Sequence, residues 1–220
     1  MKIANIEIDW LGHSAFKIKA SNKIIYIDPF KLTNFEKADL ILITHSHYDH
    51  CSLADLQKIT RDNSIIVCTP DCQSTIARIE SKIQLFLVEP GKEADFEDIK
   101  IKAVPSYNTN KNFHPKSENY VGYVLQFKNI IIYHAGDTDN IKEMAQLAEY
   151  GKNKTFVALL PVGGTYTMTA EEAAKAASII KPTLAIPMHY GAIVGSQTDA
   201  EKFSELCKKE GIKVEILEKN

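Results

Sequence analysis

The chain has 220 residues, 45% apolar and 25% charged, which is enough apolar surface to offset chain entropy and excludes a disordered, collagen-like or disulfide-scaffold protein. At 24.6 kDa it sits near the upper size at which one core still grows, so a single domain over 1–220, built of two similar halves, is expected. The formal net charge of −2 lacks the footprint of a nucleic-acid binder; of the 26 basic residues only Arg61 and Arg78 are arginine, which leaves anion recognition to lysine, backbone amides or metal.

Residues 1–14 contain Glu7 and Asp9 and no apolar leader segment, and no run of about 18 apolar residues follows, so a soluble, cytoplasmic protein without a membrane partner is expected. Short β-branched runs at 3–8, 15–18 and 23–27, separated by Leu11-Gly12 and Ser21-Asn22, predict an antiparallel meander. A strand at 40–44 leads to a helix opened by Ser52, with Asp55 three residues on in capping-box spacing. Then come a strand at 65–68, a short helical stretch near 71–79, and strands at 84–88 and 99–104. Residues 106–119 form a long irregular stretch, the kind of loop that carries function.

Strands at 120–127 and 130–133 flank a Lys128-Asn129 hairpin; a helix at 141–150 is expected to be capped by Asn140 and closed by Gly151. A strand at 156–160, a helix opened by Thr169 with Glu172, a strand at 184–187, a helix opened by Thr198 with Glu201, and a strand at 214–217 complete the chain. This order predicts an α/β protein with a sheet-on-sheet core covered by helices on both sides. Cys51, Cys68, Cys72 and Cys207 have irregular spacing and read as reduced, structural thiols.

The strand at 40–44 runs directly into His45-Ser46-His47-Tyr48-Asp49-His50. In an extended segment alternate side chains share a side, so His45, His47 and Asp49 converge, and the turn into the helix swings His50 toward a second ion. Neutral imidazole is the commonest side-chain ligand for zinc-like ions. Asp137 and His189 each follow an apolar strand, where loops gather and sites form.

This H-x-H-x-D-H run resembles the signature of the metallo-β-lactamase superfamily. Trp10-Leu11-Gly12-His13-Ser14, Ile27-Asp28-Pro29, Gly136-Asp137-Thr138-Asp139 and Pro187-Met188-His189-Tyr190-Gly191 resemble further motifs of the branch that includes ascorbate-phosphate lactonase-like and N-acyl-phosphatidylethanolamine phospholipase-like hydrolases. The resemblance implies a four-layer αββα sandwich with two divalent metal ions. His45 and His47 would hold the first metal, Asp49, His50 and His189 the second, and Asp137 would bridge both.

The family supplies a further histidine to the first metal after a strand such as 99–104, where this chain reads Val104-Pro105-Ser106-Tyr107-Asn108. Either His114, six residues along, or the amide oxygen of Asn108 fills that place, or the first site is incomplete. Asp28 reads as a partner that fixes a ligand tautomer or as a turn residue, and His13 as a substrate contact or a plug at the rim. His134 is expected in a core or surface role, Lys111 and Lys116 as solvated loop lysines, Cys51 as a small buried residue, and Tyr166 as lining a pocket or sitting in a plain turn.

The expected function is a hydrolase using metal-bound hydroxide on a small-molecule ester, lactone or phosphodiester, with Asp49 orienting the attacking group and collecting its proton. Zn2+ is the first choice, with Mn2+, Fe or Ni2+ compatible. No Gly-x-Ser-x-Gly elbow supports a covalent nucleophile. The alternative is a non-hydrolytic metal-binding sensor or scaffold with an incomplete first site.

Overall fold

The computed structural model describes all 220 residues, which divide into two compact units, Met1–Glu89 with Leu217–Asn220, and Pro90–Ile216. Each unit carries one sheet.

In the first unit the strands are β1 (Lys2–Ile3), β2 (Ile6–Gly12), β3 (Ala15–Ala20), β4 (Lys23–Ile27), β5 (Leu40–Ile43), β6 (Ile65–Cys68) and β7 (Gln84–Leu87), and they lie side by side in chain order. The first four pair antiparallel and the last four parallel. In β3 Phe16 and Ile18 are fully buried while Lys17 and Lys19 are partly exposed, the period-two pattern of a strand with one covered face. β5, Leu-Ile-Leu-Ile, is buried throughout, as a parallel strand covered on both faces must be.

Helix α1 (Leu53–Ile59) connects β5 to β6 and buries Leu56 and Ile59 in a cluster with Ile41, Ile43 and Ile66, and the short helix α2 (Gln73–Ile76) follows β6 within the helical stretch expected near 71–79. Each such burial contributes about 1.5–3 kcal/mol. The hydroxyl of Ser52 accepts the Asp55 amide at 3.4 Å, as the capping-box spacing predicted. The meander differs from expectation at two corners: a turn at Ala4-Asn5 splits the strand expected at 3–8 into β1 and β2, and β2 continues to Gly12, with a register shift between Trp10 and Gly12. That puts His13 on the turn with φ +53°.

The second unit contains β8 (Glu93–Phe96), β9 (Ile99–Pro105), β10 (Val121–Gln126), β11 (Ile130–His134), β12 (Thr155–Pro161), α3 (Ala170–Ile180), β13 (Leu184–Met188) and α4 (Gln197–Lys209). The sheet order is β13-β12-β11-β10-β9-β8, antiparallel from β8 to β11 and parallel from β11 to β13. Helix α3 has a complete capping box between Thr169 and Glu172 and buries Ala173, Ala177 and Ile180. No helix is long and apolar enough to cross a membrane.

Several boundaries correct the sequence reading. The helix expected at 141–150 is a 3-10 helix, Lys142–Gly151, and its cap residue is Ile141, not Asn140. The reason is visible in the spacing: Ile141, Met144, Leu147 and Tyr150 recur every third residue, which lines one face of a 3-10 helix, and the first three of them are buried. Helix α4 is opened by a capping box between Ser196 and Asp199 rather than Thr198 and Glu201; both pairs have the spacing, and Gly195, at φ +66°, turns the chain just ahead of Ser196.

β8 was missed because Glu-Ala-Asp-Phe carries two charges. They are accommodated at a sheet edge, where Glu93 pairs with Lys102 at 2.9 Å. Residues 214–217 form only an isolated bridge from Val214 to Ala185.

Candidate metal centre

In the first unit the site grows from the ends of β4 and β5. Asp28, at the end of β4, holds a left-handed backbone (φ +46°) that a non-glycine residue keeps only when its surroundings impose it. Its carboxylate is fully buried and accepts the Thr44 amide at 2.8 Å, the Thr44 hydroxyl at 2.7 Å and His50 Nδ1 at 2.8 Å. With its proton committed to Asp28, the Thr44 hydroxyl accepts His45 Nδ1–H at 2.9 Å.

His45 and His50 are thereby both set in the tautomer that presents an unprotonated Nε2, a partner arrangement typical of metal-ligating imidazole. His45 Nε2 lies 3.0 Å from His47 Nδ1. The chain then turns tightly, with His50 N and Cys51 N both donating to His47 O, so His50 folds back beside the strand end. Asp49 Oδ2 lies 3.6 Å from His50 Nε2 and 2.9 Å from His13 Nε2. One donor atom from each of His13, Asp49 and His50 falls within 4.8 Å of the others.

In the second unit Asp137 follows β11 and His189 follows β13. Asp137 Oδ2 lies 3.0 Å from His189 Nε2 and 3.3 Å from His114 Nε2. The long loop brings His114 there by folding on Asn108, whose amide donates to His114 O at 2.7 Å. The Asn108 carboxamide oxygen accepts both His114 N at 3.0 Å and His114 Nδ1 at 3.1 Å. That oxygen therefore orients His114, and the Asn108 amide group donates to Asp139 and to the Tyr166 carbonyl.

Asp139 is a residue the sequence reading quoted but gave no role. It anchors the loop by accepting Thr109 N and Lys111 Nζ, each at 2.7 Å. Burial opposes its charge, but Lys111 and the amides of Thr109 and Asn110 more than offset that and hold its carboxyl below the usual range. Thr44 and Asp71, which accepts Ser46 N at 2.9 Å, were likewise missed; a threonine directly before the first histidine was the only available signal.

Other candidates have plain structural duties. Lys111 pairs with Asp139, and Lys116 pairs with Glu143 at 2.9 Å while lying over the Tyr107 ring. Lys111 is largely withdrawn from solvent in its pair, which corrects the expectation for it, whereas Lys116 stays mostly exposed, as expected. His134 Nδ1 accepts Gly136 N at 3.2 Å, Tyr166 stacks edge-on against Phe113, and Cys51 is buried in the α1 core.

At Gly163 the backbone approaches a neighbouring strand end closely: a Cβ there would stand 2.2 Å from the carbonyl oxygen of His189, itself at φ +59°. Gly163→Ala is expected to destabilise the protein by about 3 kcal/mol in urea unfolding, by overpacking against fixed backbone. Gly151→Ala, whose new Cβ would meet nothing nearer than 3.5 Å, is expected to cost less than about 1 kcal/mol.

The beta-lactamase superfamily domain pattern matches residues 7–189, and the chain is 36% identical over 223 residues to a UPF0173 metal-dependent hydrolase of Pyrococcus furiosus, covering 96% of each. The chain belongs to this superfamily. Among solved structures it superposes on a Parabacteroides distasonis protein with a TM-score of 0.83 and 32% identity, over 97% of this chain and 94% of that one. It also superposes on Igni18, a metallo hydrolase from Ignicoccus hospitalis, with a TM-score of 0.77 and 25% identity, over 98% and 96%.

The two-sheet α/β architecture is thus the metallo-β-lactamase fold that the motifs implied, and the chain is one of its metal-dependent hydrolases. The donor chemistry fits divalent metal. Within the first unit two histidines present a lone pair on Nε2 with the other nitrogen tied down, beside His47 and a carboxylate. Within the second, a carboxylate oxygen stands between two imidazole nitrogens.

Proposed function

We propose that the protein hydrolyses a small-molecule ester, lactone or phosphodiester, with both histidine–carboxylate sets serving one pair of divalent ions, zinc before manganese, iron or nickel. The ligand division follows the family pattern: His45 and His47 on the first ion, Asp49, His50 and His189 on the second, Asp137 on both. His114 takes the remaining place on the first ion. The observation that carries this reading is that three histidines have their outer nitrogen held by a neighbour, His45 by Thr44, His50 by Asp28 and His114 by Asn108. Any buried imidazole N–H needs an acceptor; what marks these three is that the other nitrogen, Nε2, faces a carboxylate or another imidazole in each case.

Bound ions of this kind lower the pKa of a water they share and polarise the oxygen of the bond under attack. The residues do the rest. Asp49, steadied by His13, accepts the proton released as the nucleophile forms. Asp28 keeps His50 in one tautomer, and Asn108 keeps His114 aimed.

Metal analysis by plasma mass spectrometry on tag-free protein tests the proposal. About two ions per chain are expected, with turnover of a chromogenic phosphodiester or lactone that disappears after chelation and returns with zinc or manganese. His114→Ala is expected to reduce the content to about one. One ion or fewer in the unmodified protein, not raised by added metal, favours the non-hydrolytic reading instead.

A further inference from the structure

In the second sheet Lys102 of β9 stands opposite Val124 of β10, and Val124 opposite Tyr133 of β11, so the three side chains share a face. Val104, two residues along β9, is on that face too. The 3-10 helix Lys142–Gly151 packs on β12 and α3. Between this helix and the β9 side of the sheet lies a cavity of about 500 Å³, within the range of small-molecule sites. None of the histidines or carboxylates assigned to metal lines it.

The walls are mostly apolar, Val104 from the sheet and Met144 and Leu147 from the helix, together with the rings of Tyr133 and Tyr150. Tyr133 is fully buried, and its hydroxyl has no hydrogen-bond partner in the protein. A hydroxyl withdrawn from water without a partner costs free energy, and a phenylalanine would pack at the same place without that cost. Burial pushes the phenol pKa upward, so the group stays an uncharged O–H donor in need of an acceptor.

The charges around the cavity are matched already. Lys102 pairs with Glu93 at 2.9 Å, Glu143 with Lys116 at 2.9 Å and Glu149 with Lys152 at 2.5 Å. None is left over to neutralise an ionic ligand, whose loss of hydration would go uncompensated among apolar walls.

We infer that this cavity binds an uncharged aromatic molecule carrying a carbonyl oxygen, which accepts the Tyr133 hydroxyl while the ring lies among Val104, Met144 and Leu147. A carbonyl accepts without bringing a further donor that these walls could not satisfy. Met144 and the two tyrosine rings favour an aromatic body through sulfur–ring and ring–ring contacts.

Prodan, an uncharged naphthalene ketone whose emission moves to the blue in an apolar site, is the probe. Titrated against the full chain, it is expected to saturate at about one per chain with a Kd in the micromolar range. Tyr133→Phe is expected to weaken Prodan about tenfold, the worth of one hydrogen bond, with a melting temperature at or above the parent's because only an unpartnered hydroxyl is removed. 2-(Dimethylamino)naphthalene, the same ring system without the carbonyl, is expected to bind the parent and Tyr133→Phe alike. Val104 is half-buried, so Val104→Trp is expected to fill the cavity and abolish Prodan binding while the chain melts cooperatively. Absence of saturable Prodan binding to the parent overturns the proposal, as does equal Prodan affinity in Tyr133→Phe or binding that survives Val104→Trp.

Discussion

Asp49→Ala is expected to lower turnover by about three orders of magnitude while the thermal transition stays cooperative. Asp49 is a buried residue, with Oδ2 2.9 Å from His13 Nε2 and 3.6 Å from His50 Nε2. Removing it leaves the buried His13 Nε2 without that partner, so a stability loss of about 1–3 kcal/mol accompanies the loss of turnover.

Asp49→Asn separates two duties. The amide keeps an oxygen at the same place but cannot take a proton, so metal content near the parent with turnover still down about a hundredfold would assign Asp49 to proton handling. Loss of metal in both variants would assign it to ligation alone, and retained turnover in Asp49→Ala within a few fold would remove it from the chemistry.

Asp28 carries the second large effect, through other residues. Its fully buried carboxylate satisfies the Thr44 amide, the Thr44 hydroxyl and His50 Nδ1 at once. Asp28→Ala leaves all three donors buried without that acceptor and is expected to cost about 3–5 kcal/mol, a sizeable part of a typical folding free energy. For a chain of this length that lowers the melting temperature by roughly 6–20 °C.

Asp28→Asn is the sharper experiment because it preserves volume. The asparagine oxygen can still accept from Thr44, but its NH2 group cannot accept the His50 Nδ1 proton. His50 is then driven to carry its proton on Nε2, the nitrogen that faces Asp49. Metal affinity is expected to fall by 10–100-fold, more than stability alone explains. An Asp28→Asn protein that binds metal as tightly as the parent would show that Asp28 serves only the turn between β4 and β5.

How much of this was legible beforehand depended on how far apart in the chain the cooperating residues lie. The run from His45 to His50 declared itself because its members are consecutive and follow a strand, although a tight turn, with His50 N and Cys51 N donating to His47 O, brings them together rather than the extended geometry expected. Apolar runs with period two, and capping boxes at Ser52 and Thr169, placed most strands and helices for the same local reason. The 3-10 helix at Lys142–Gly151 was legible in principle, since its apolar spacing of three stood in the sequence, but helix-cap rules tuned to α-helices passed over it. β8 was invisible to a hydrophobic pattern because it is a short edge strand whose charged residues Glu93 and Asp95 stand opposite Lys102 and Lys100.

The choice between His114 and Asn108 marks the boundary. Both sit in one loop, and nothing in their spacing tells which reaches Asp137. That was decided by the return of the chain on itself, which gives His114 to Asp137 and spends the Asn108 oxygen on holding His114. Asp139 belongs to the same class, a turn carboxylate by sequence that the fold converts into the anchor of residues 109 and 111.

The amino-acid sequence by itself determined the α/β class, through short-range periodicity, and its histidine- and aspartate-bearing motifs carried the resemblance to the superfamily. Only the tertiary structure decided which nitrogen His45, His50 and His114 present and that Asn108 orients His114. Those outcomes depend on hydrogen-bond partners such as Asp28 for His50, brought together from distant points in the chain by packing that no local pattern encodes.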